Sequence, residues 1–380
     1  MQMNPFKIDI PSSQLEDLFE RLKKTIFPSE LEHSDWNLGP TQEYVKGHVE
    51  YLLTDYDWKK QETLINTFPQ FTTEIDGQNI HFLHVRSSEK NARPLLLLHG
   101  WPGSIVEFLK VIDPLTNPIA HGGRPEDAFH LVIPSLPGFG FSGPTKESGW
   151  NNTRIAKAFI VLMDRLGYEK YGVQGGDAGA IIGPEIARIA PNKVVGLHVN
   201  AATMGFIPMG PVEQSDIDTF TDIEKERLQR LQRFMSEHFG FNFIHSQRPQ
   251  TLAYSISDSP VGLLTWISEL FTSFGDNIEA VDRDSFLTNF LIYWFTGTAA
   301  SSIRLYYENA HDPSAWAPKA NSGVPTGVAA FHEDVAIRRY AEQTNTIVRW
   351  TDYDEGGHYA GLEIPEIWTK DVVSFFRELR

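Results

Sequence analysis

Apolar and polar positions along this chain follow two different periods in separate regions. Pro94-Leu-Leu-Leu-Leu98, running into His99-Gly100, is a continuous apolar run, the signature of a strand buried on both faces of a parallel sheet. Phe129-His-Leu-Val-Ile-Pro-Ser135 and Tyr171-Gly-Val-Gln174 repeat it. Between them the spacing predicts helices over Ile105 to Ile112 and Thr153 to Leu166, and a further helix over Ala180 to Ile189. Upstream, Phe71 to Arg86 alternates about the turn signal Asp76-Gly77, which predicts a β-hairpin and an antiparallel start to the sheet. Strand signals return at Gly327-Val-Ala-Ala-Phe331 and Thr346-Ile-Val-Arg-Trp350, before a last helix over Ile364 to Leu379.

Two stretches lack strand signals. Residues 1–70 mix amphipathic helical segments (Ser12 to Lys24, Thr41 to Thr54, Trp58 to Thr67) with loops holding Trp36, Pro40 and Pro69. From about Met204 to Asn321 the pattern is helical throughout: Ile217 to His238, Pro249 to Ser257, Pro260 to Phe274 and Asp284 to Asn309. Alternation of strand and helix elsewhere argues for a doubly wound, mostly parallel α/β sheet. The expected organisation is an N-terminal meander (1–70) wrapping the core, a first part of the core (71–203), an inserted helical lid (204–321) and a second part of the core (322–380). No internal repeat or low-complexity tract interrupts it.

Composition narrows the function. A hydrophobic fraction of 41% over 380 residues is ample for one large core with an insertion. The net charge of -16 argues against a nucleic-acid partner, because the attraction that dominates such binding would be reversed. With no cysteine, thiolate catalysis, disulfides, zinc-thiolate sites and iron–sulfur clusters are excluded. The first residues lack a signal-peptide apolar core and no later run reaches the ~18 apolar residues of a membrane span, so a soluble, cytoplasmic protein without a membrane anchor is expected.

The candidate chemistry centres on Gly175-Gly-Asp-Ala-Gly179, between a strand and a helix. This is the Gly-x-nucleophile-x-Gly spacing of a nucleophile elbow, with a carboxylate, Asp177, in place of a hydroxyl. A carboxylate there attacks an electrophilic carbon by displacement and gives an alkyl ester that water then cleaves. The alternative is that Asp177 only caps the following helix.

Two further motifs bear on that choice. His99-Gly-Trp-Pro102 follows a strand, so the backbone N–H of Trp101 and that of Ala178 could form an oxyanion hole. His358, in Gly356-Gly-His-Tyr-Ala360, follows the last strand, and Phe331-His-Glu-Asp334 supplies an acid after an earlier one. The order nucleophile, acid, histidine is that of α/β hydrolases, and its agreement with the elbow favours a nucleophilic hydrolase. Gly138-Phe-Gly-Phe-Ser-Gly143 satisfies a dinucleotide pattern but opens no helix, and reads as a turn lining a pocket. No H-E-x-x-H or comparable ligand set appears, so no metal and no cofactor are expected.

Together with Trp36, Pro134-Ser-Leu-Pro-Gly-Phe-Gly-Phe-Ser142, Ser257-Asp-Ser-Pro-Val-Gly262, Tyr293-Trp-Phe-Thr-Gly297 and Val324-Pro-Thr-Gly327, these motifs resemble those of microsomal-type epoxide hydrolases, including the soluble fungal and bacterial members. The resemblance runs over essentially the whole chain. It implies an α/β-hydrolase fold and an ether-bond hydrolase that detoxifies epoxides. It places the nucleophile on Asp177, the water-activating base on His358, and the orienting acid on Asp334, with Glu333 as the alternative.

The family's two lid tyrosines, which protonate the epoxide oxygen, match Tyr306 and a position occupied here by Phe241. Phenylalanine has no proton to give, and the loss of one positioned acid costs roughly 10²-fold or more. Ala178 also stands where a tryptophan is expected, leaving more room beside the nucleophile.

The expected activity is therefore conversion of an apolar epoxide to a vicinal diol with water as co-substrate. Phe241, Trp101 and Trp294 are the expected substrate contacts within an aromatic lid that also offers Phe243, Trp266 and Phe271. A haloalkane or haloacid dehalogenase, an epoxide-opening cyclase and a catalytically silent ligand-binding homologue are the rivals. A homodimer is left open.

Overall fold

The computed structural model describes residues 3–33, 35–315, 317 and 319–379. Residues 34, 316 and 318, which belong to the expected meander and lid, lie outside the described residues, as do Met1, Gln2 and Arg380. The fold is organised by a nine-stranded sheet of order β1-β2-β3-β5-β4-β6-β7-β8-β9 among the described residues. β1 (Asn4–Phe6), β2 (Gln70–Ile75) and β3 (Gln78–Val85) form an antiparallel edge, and β3 pairs antiparallel with β5 (Phe129–Pro134). From β5 onward the sheet is parallel through β4 (Arg93–Leu98), β6 (Tyr171–Gly176), β7 (Val194–Asn200), β8 (Pro325–Ala330) and β9 (Thr346–Asp352). Leu95 to Leu98 are fully buried, as a strand covered on both faces requires.

Helices cover the faces: α1 (Ser12–Lys23), α2 (Gln42–Thr54) and α3 (Trp58–Ile65) precede the hairpin, and the short α4 (Ile112–Thr116), α5 (Asn152–Arg165) and α6 (Gly179–Ile189) link the parallel strands. Between β7 and β8 the chain is helical, with α7 (Gln214–Ile217), α8 (Asp222–Arg233), α9 (Gly240–Gln247), α10 (Pro249–Asp258), α11 (Pro260–Phe271), α12 (Arg283–Thr296) and α13 (Ala299–Ala310). α14 (Arg338–Thr344), α15 (Ala360–Glu363) and α16 (Pro365–Glu378) complete the chain. The N-terminal segment is tied to this helical block: Tyr51 donates to Asp284 at 2.9 Å, and the Tyr56 and Thr288 hydroxyls meet at 2.9 Å.

Several elements differ from the sequence expectation, each for a local reason. The helix expected over Asp284 to Asn309 is two helices, because Gly297 (φ 63°) takes the left-handed C-cap of α12. The helix expected over Ile217 to His238 restarts at Thr221, whose hydroxyl and Glu224 form a capping box. Ile105 to Ile112 holds only a 3₁₀ turn (Ile105–Phe108) and the start of α4. β1 and β7 carried no sequence expectation. The half-apolar pattern of Val194-Val-Gly-Leu-His-Val-Asn200 is compatible with a strand.

Strand order reverses where β5 lies on one side of β4 and β6 on the other, and such a switch point opens a crevice at the carboxyl ends of the strands. His99 lies at that point, fully buried. Its Nδ1–H donates to Gly100 O at 2.9 Å and its Nε2 accepts from Leu136 N at 3.2 Å, so the neutral ring joins the loops after β4 and β5. His81, between Ser135 and Gln70, is equally buried.

Burial holds His81 at about 3 and His99 at about 4, against about 6.5 in an unfolded chain. Below about pH 6.5 the unfolded chain therefore takes up protons that the fold refuses, and stability is full above that window and falls through it toward pH 4. Urea unfolding from pH 7 to 4.5 should show a falling midpoint, and His81→Gln should flatten that slope. An unchanged slope in the variant would remove His81 from the linkage.

Candidate active site

The β6–α6 turn carries Asp177 in a left-handed conformation (φ 51°). Aspartate tolerates that region better than most side chains, though residues held there store roughly 1–3 kcal/mol of strain. The elbow is pressed against the end of β4, since a Cβ on Gly179 would lie 2.2 Å from Leu98 O. The alternative that Asp177 caps α6 fails: the N-cap of α6 is Ala178 and no side chain caps it. Instead, Asp177 Oδ1 accepts a hydrogen bond from Trp101 N at 2.9 Å, across the gap between the ends of β4 and β6.

The loop bearing Trp101 is held from the helical block. Tyr293 Oη donates to Gly103 O at 2.6 Å, Asn289 Nδ2 donates to Pro102 O at 2.7 Å, and the Trp101 indole N–H donates to Ser302 Oγ at 3.1 Å. The backbone amide of Trp101 is thereby aimed at the carboxylate by α12 and α13. Ala178, the other expected oxyanion donor, sits at the start of α6 and is nearly buried.

His358 approaches from the loop after β9, with Nε2 3.7 Å from Asp177 Oδ2. The two carboxylate oxygens therefore have different partners, an amide on Oδ1 and an imidazole facing Oδ2. Of the two candidate acids, Asp334 is buried, its Oδ1 accepts from Ala336 N at 2.9 Å, and its Oδ2 has no hydrogen-bond partner among the described residues. Burial raises the pKa of Asp334, opposed by the Ala336 amide and the charges of Arg227 and His358. Glu333 accepts a hydrogen bond from Ser273 Oγ at 2.5 Å, and its carboxylate lies against Gly357, where an added Cβ would stand 2.5 Å from Oε2.

Over the carboxylate stands a cage of four rings. Tyr306 lies 6.0 Å from Trp101, 6.0 Å from Phe241 and 5.0 Å from His245, and Phe241 stacks on Trp101 at 5.9 Å and 14°. Enclosure, with the charge of Asp177 next, pushes the Tyr306 hydroxyl well above the ordinary phenol value, so it keeps its proton. The structure thus groups Asp177, Trp101, His358, Tyr306 and Phe241. It does not bring Trp294 to them: that ring lies 6.0 Å from the Arg21 guanidinium of α1, because it projects from α12 toward the N-terminal segment. Phe243 is likewise more than half exposed.

Residues without a sequence expectation complete the site. Beneath His358 lies a niche of about 10 Å³, roughly the space of one water. Glu107, Gln174, Gly176, Asn200 and Tyr359 are among its lining residues. Gln174 Oε1 and Tyr359 Oη are buried there without partners among the described residues. Desolvation and then the charge of Asp177 raise the Glu107 carboxyl well above the usual range, which disfavours its charged form beside the candidate nucleophile. Glu107 had no motif around it. Tyr359, next to His358, had its neighbour as a signal. His245, four residues after Phe241, had helical spacing.

Residues 3–108 match the family model described as epoxide hydrolase N terminus, and residues 93–319 match that of the alpha/beta hydrolase fold. A Stigmatella aurantiaca relative that bears the epoxide hydrolase name is 42% identical over 385 residues, covering 100% of this chain and 86% of its own. Epoxide hydrolase 1 of Sus scrofa is 34% identical, over 98% of this chain and 88% of the relative. Among solved structures, the Aspergillus niger epoxide hydrolase superposes with a TM-score of 0.85 at 32% identity, covering 100% of this chain and 97% of that one. The juvenile hormone epoxide hydrolase from the silkworm Bombyx mori gives 0.87 at 29% identity, covering 100% and 95%.

The geometry makes Gly100 a sensitive position, because a Cβ there would lie 2.2 Å from Asp177 Oδ1. Gly100→Ala should displace the carboxylate from the Trp101 amide and lower epoxide turnover by at least about tenfold, the scale of one lost oxyanion-type contact being about 10²-fold. Circular dichroism should stay close to that of the parent. Parental turnover in this variant would show that the Trp101 contact is dispensable.

Proposed function

Since the chain belongs to the epoxide hydrolases, we propose that it opens an apolar epoxide in two covalent steps, with Asp177 as nucleophile. One observation carries this reading: the amide of Trp101 holds Oδ1 while Oδ2 accepts no backbone hydrogen bond among the described residues and lies 3.7 Å from His358 Nε2. In the first step Oδ2 attacks an epoxide carbon, the C–O bond breaks, and the electron pair passes to the ring oxygen. That oxygen takes the proton of Tyr306, whose ring faces Trp101 above the carboxylate.

In the second step His358 takes a proton from a water in the niche, and the hydroxide attacks the ester carbonyl of Asp177. The Trp101 and Ala178 amides hold the oxyanion that forms. Its collapse breaks the bond between the Asp177 acyl carbon and the substrate oxygen, and the departing alkoxide takes the proton of the newly formed carboxyl group to complete the diol. The proton held on His358 returns to the Tyr306 phenolate, which restores the site. Asp334 orients His358 and stabilises its protonated form through the vacant Oδ2. Glu333 is the weaker candidate, because its carboxylate is engaged by Ser273. Trp101 and Phe241 furnish apolar contacts for the substrate, and Trp294 drops from that set.

A halide-releasing reaction needs no phenol at the leaving group, and the placement of Tyr306 in the cage favours an epoxide. The reading includes a soluble, cytoplasmic enzyme with a helical lid over residues 204–321. Among the described residues no helix is long and apolar enough to cross a membrane.

Two variants test the assignment. His358→Gln should spare the first step and stop the second, so intact-protein mass spectrometry after mixing with styrene oxide should show one substrate mass added per chain. Slow loss of epoxide with no added mass would remove His358 as the base of the second step. For the acid, Asp334→Asn should slow ester cleavage by roughly 10²-fold or more, whereas Glu333→Gln should change it only a fewfold. The reverse ranking in single-turnover cleavage would move the orienting role to Glu333.

A further inference from the structure

Phe241 closes the cage above Asp177 but offers no hydrogen to an oxygen that acquires charge there. One helical turn further along α9 is His245, fully buried. Its ring stands edge-on to Trp101 at 4.6 Å and 84°, and 5.0 Å from Tyr306. The cage therefore holds an imidazole beside the phenol.

The tautomer of that imidazole is set by its surroundings. Trp266 Nε1–H can only donate, and it donates to His245 Nε2 at 3.0 Å. Nε2 is thus the unprotonated nitrogen, and the neutral ring carries its hydrogen on Nδ1. Burial holds the ring neutral, with its pKa lowered to about 3. Nδ1 has no hydrogen-bond partner among the described residues. A buried donor without an acceptor is costly to keep, and its commonest explanations are an absent ligand or water. The other ring nitrogen accepts from Trp266, so the deficit sits on Nδ1–H alone.

We propose that His245 is the second hydrogen-bond donor to the substrate, its Nδ1–H meeting the epoxide oxygen beside the Tyr306 hydroxyl. This rests on the two-step reading above. Tyr306 supplies the proton that the opened oxygen takes up; His245 keeps its own and acts as a neutral electrophile, as an imidazole with a lowered pKa can. Such a contact tightens only when substrate is present, so the unliganded site leaves it unmade. In this arrangement Phe241 and His245 share the work of one donor-bearing wall: the phenyl ring stacks on Trp101 and the imidazole supplies the hydrogen.

The test measures formation of the alkyl-enzyme by rapid quench and intact mass, with styrene oxide as probe, in the His358→Gln background where the ester accumulates. His245→Leu should slow alkylation by at least about tenfold, one preorganised donor being worth about 10²-fold or more. Adding Phe241→Tyr to His245→Leu should recover most of that loss, because a phenol then replaces the missing N–H. Trp266→Phe should slow alkylation severalfold by freeing the other tautomer. ¹⁵N shifts of the parent should report a protonated Nδ1 and a bare Nε2 on His245. Alkylation of His245→Leu at the parental rate, or a loss that Phe241→Tyr does not recover, would overturn the proposal and leave His245 as packing. Absence of any added mass in the His358→Gln parent would overturn the covalent reading together with it.

Discussion

The hydrogen bond from Trp101 N to Asp177 Oδ1 is the contact on which the site depends. It joins the carboxyl ends of β4 and β6, neighbours in the sheet on either side of the switch in strand order. For it to form, Asp177 adopts φ 51°, Gly100 leaves room for its carboxylate and Gly179 lies against Leu98 O. Each of these features is unfavourable or restrictive locally, and together they leave the carboxylate a single orientation. With one oxygen fixed, the other is the one the proposed mechanism uses.

The helical block does more than cover this arrangement. Through Asn289, Tyr293 and Ser302 it holds the Trp101 loop by its carbonyls and its indole N–H. The N-terminal segment in turn holds α12, through Tyr51 on Asp284 and Tyr56 on Thr288. The position of one backbone amide therefore depends on residues drawn from three parts of the chain. The same block presents Tyr306, Phe241 and His245, so the groups that hold the Trp101 loop and the rings packed against Trp101 are carried by one set of helices.

Around Asp177 the buried ionisable groups are shifted toward their neutral forms. Glu107, Tyr293, Tyr306 and Tyr359 all have ionisation disfavoured by desolvation, with the charge of Asp177 as a further cause. Asp334 is buried with one oxygen unpaired among the described residues, and burial raises its carboxyl against the charges of Arg227 and His358.

The amino-acid sequence determined those features that depend on local spacing. Apolar runs of strand length placed β4, β5 and β6; Gly175-Gly-Asp-Ala-Gly179 placed Asp177 on a turn; and the order of Asp177, the acidic pair and His358 was legible because each follows a strand. Tertiary structure decided what depends on neighbours remote in the chain. That Asp177 faces Trp101 and does not cap α6 follows from the pairing of β4 with β6. That Glu333 is engaged by a side chain follows from Ser273 arriving out of the helical block, while Asp334 keeps one oxygen without a partner among the described residues. Trp294 read as a site aromatic because residue type says nothing of which face of α12 turns to Arg21. His245 carried no motif at all: the role proposed for it rests on a hydrogen bond from Trp266 and an unpaired nitrogen, and both exist only once α9, α11 and α13 have packed.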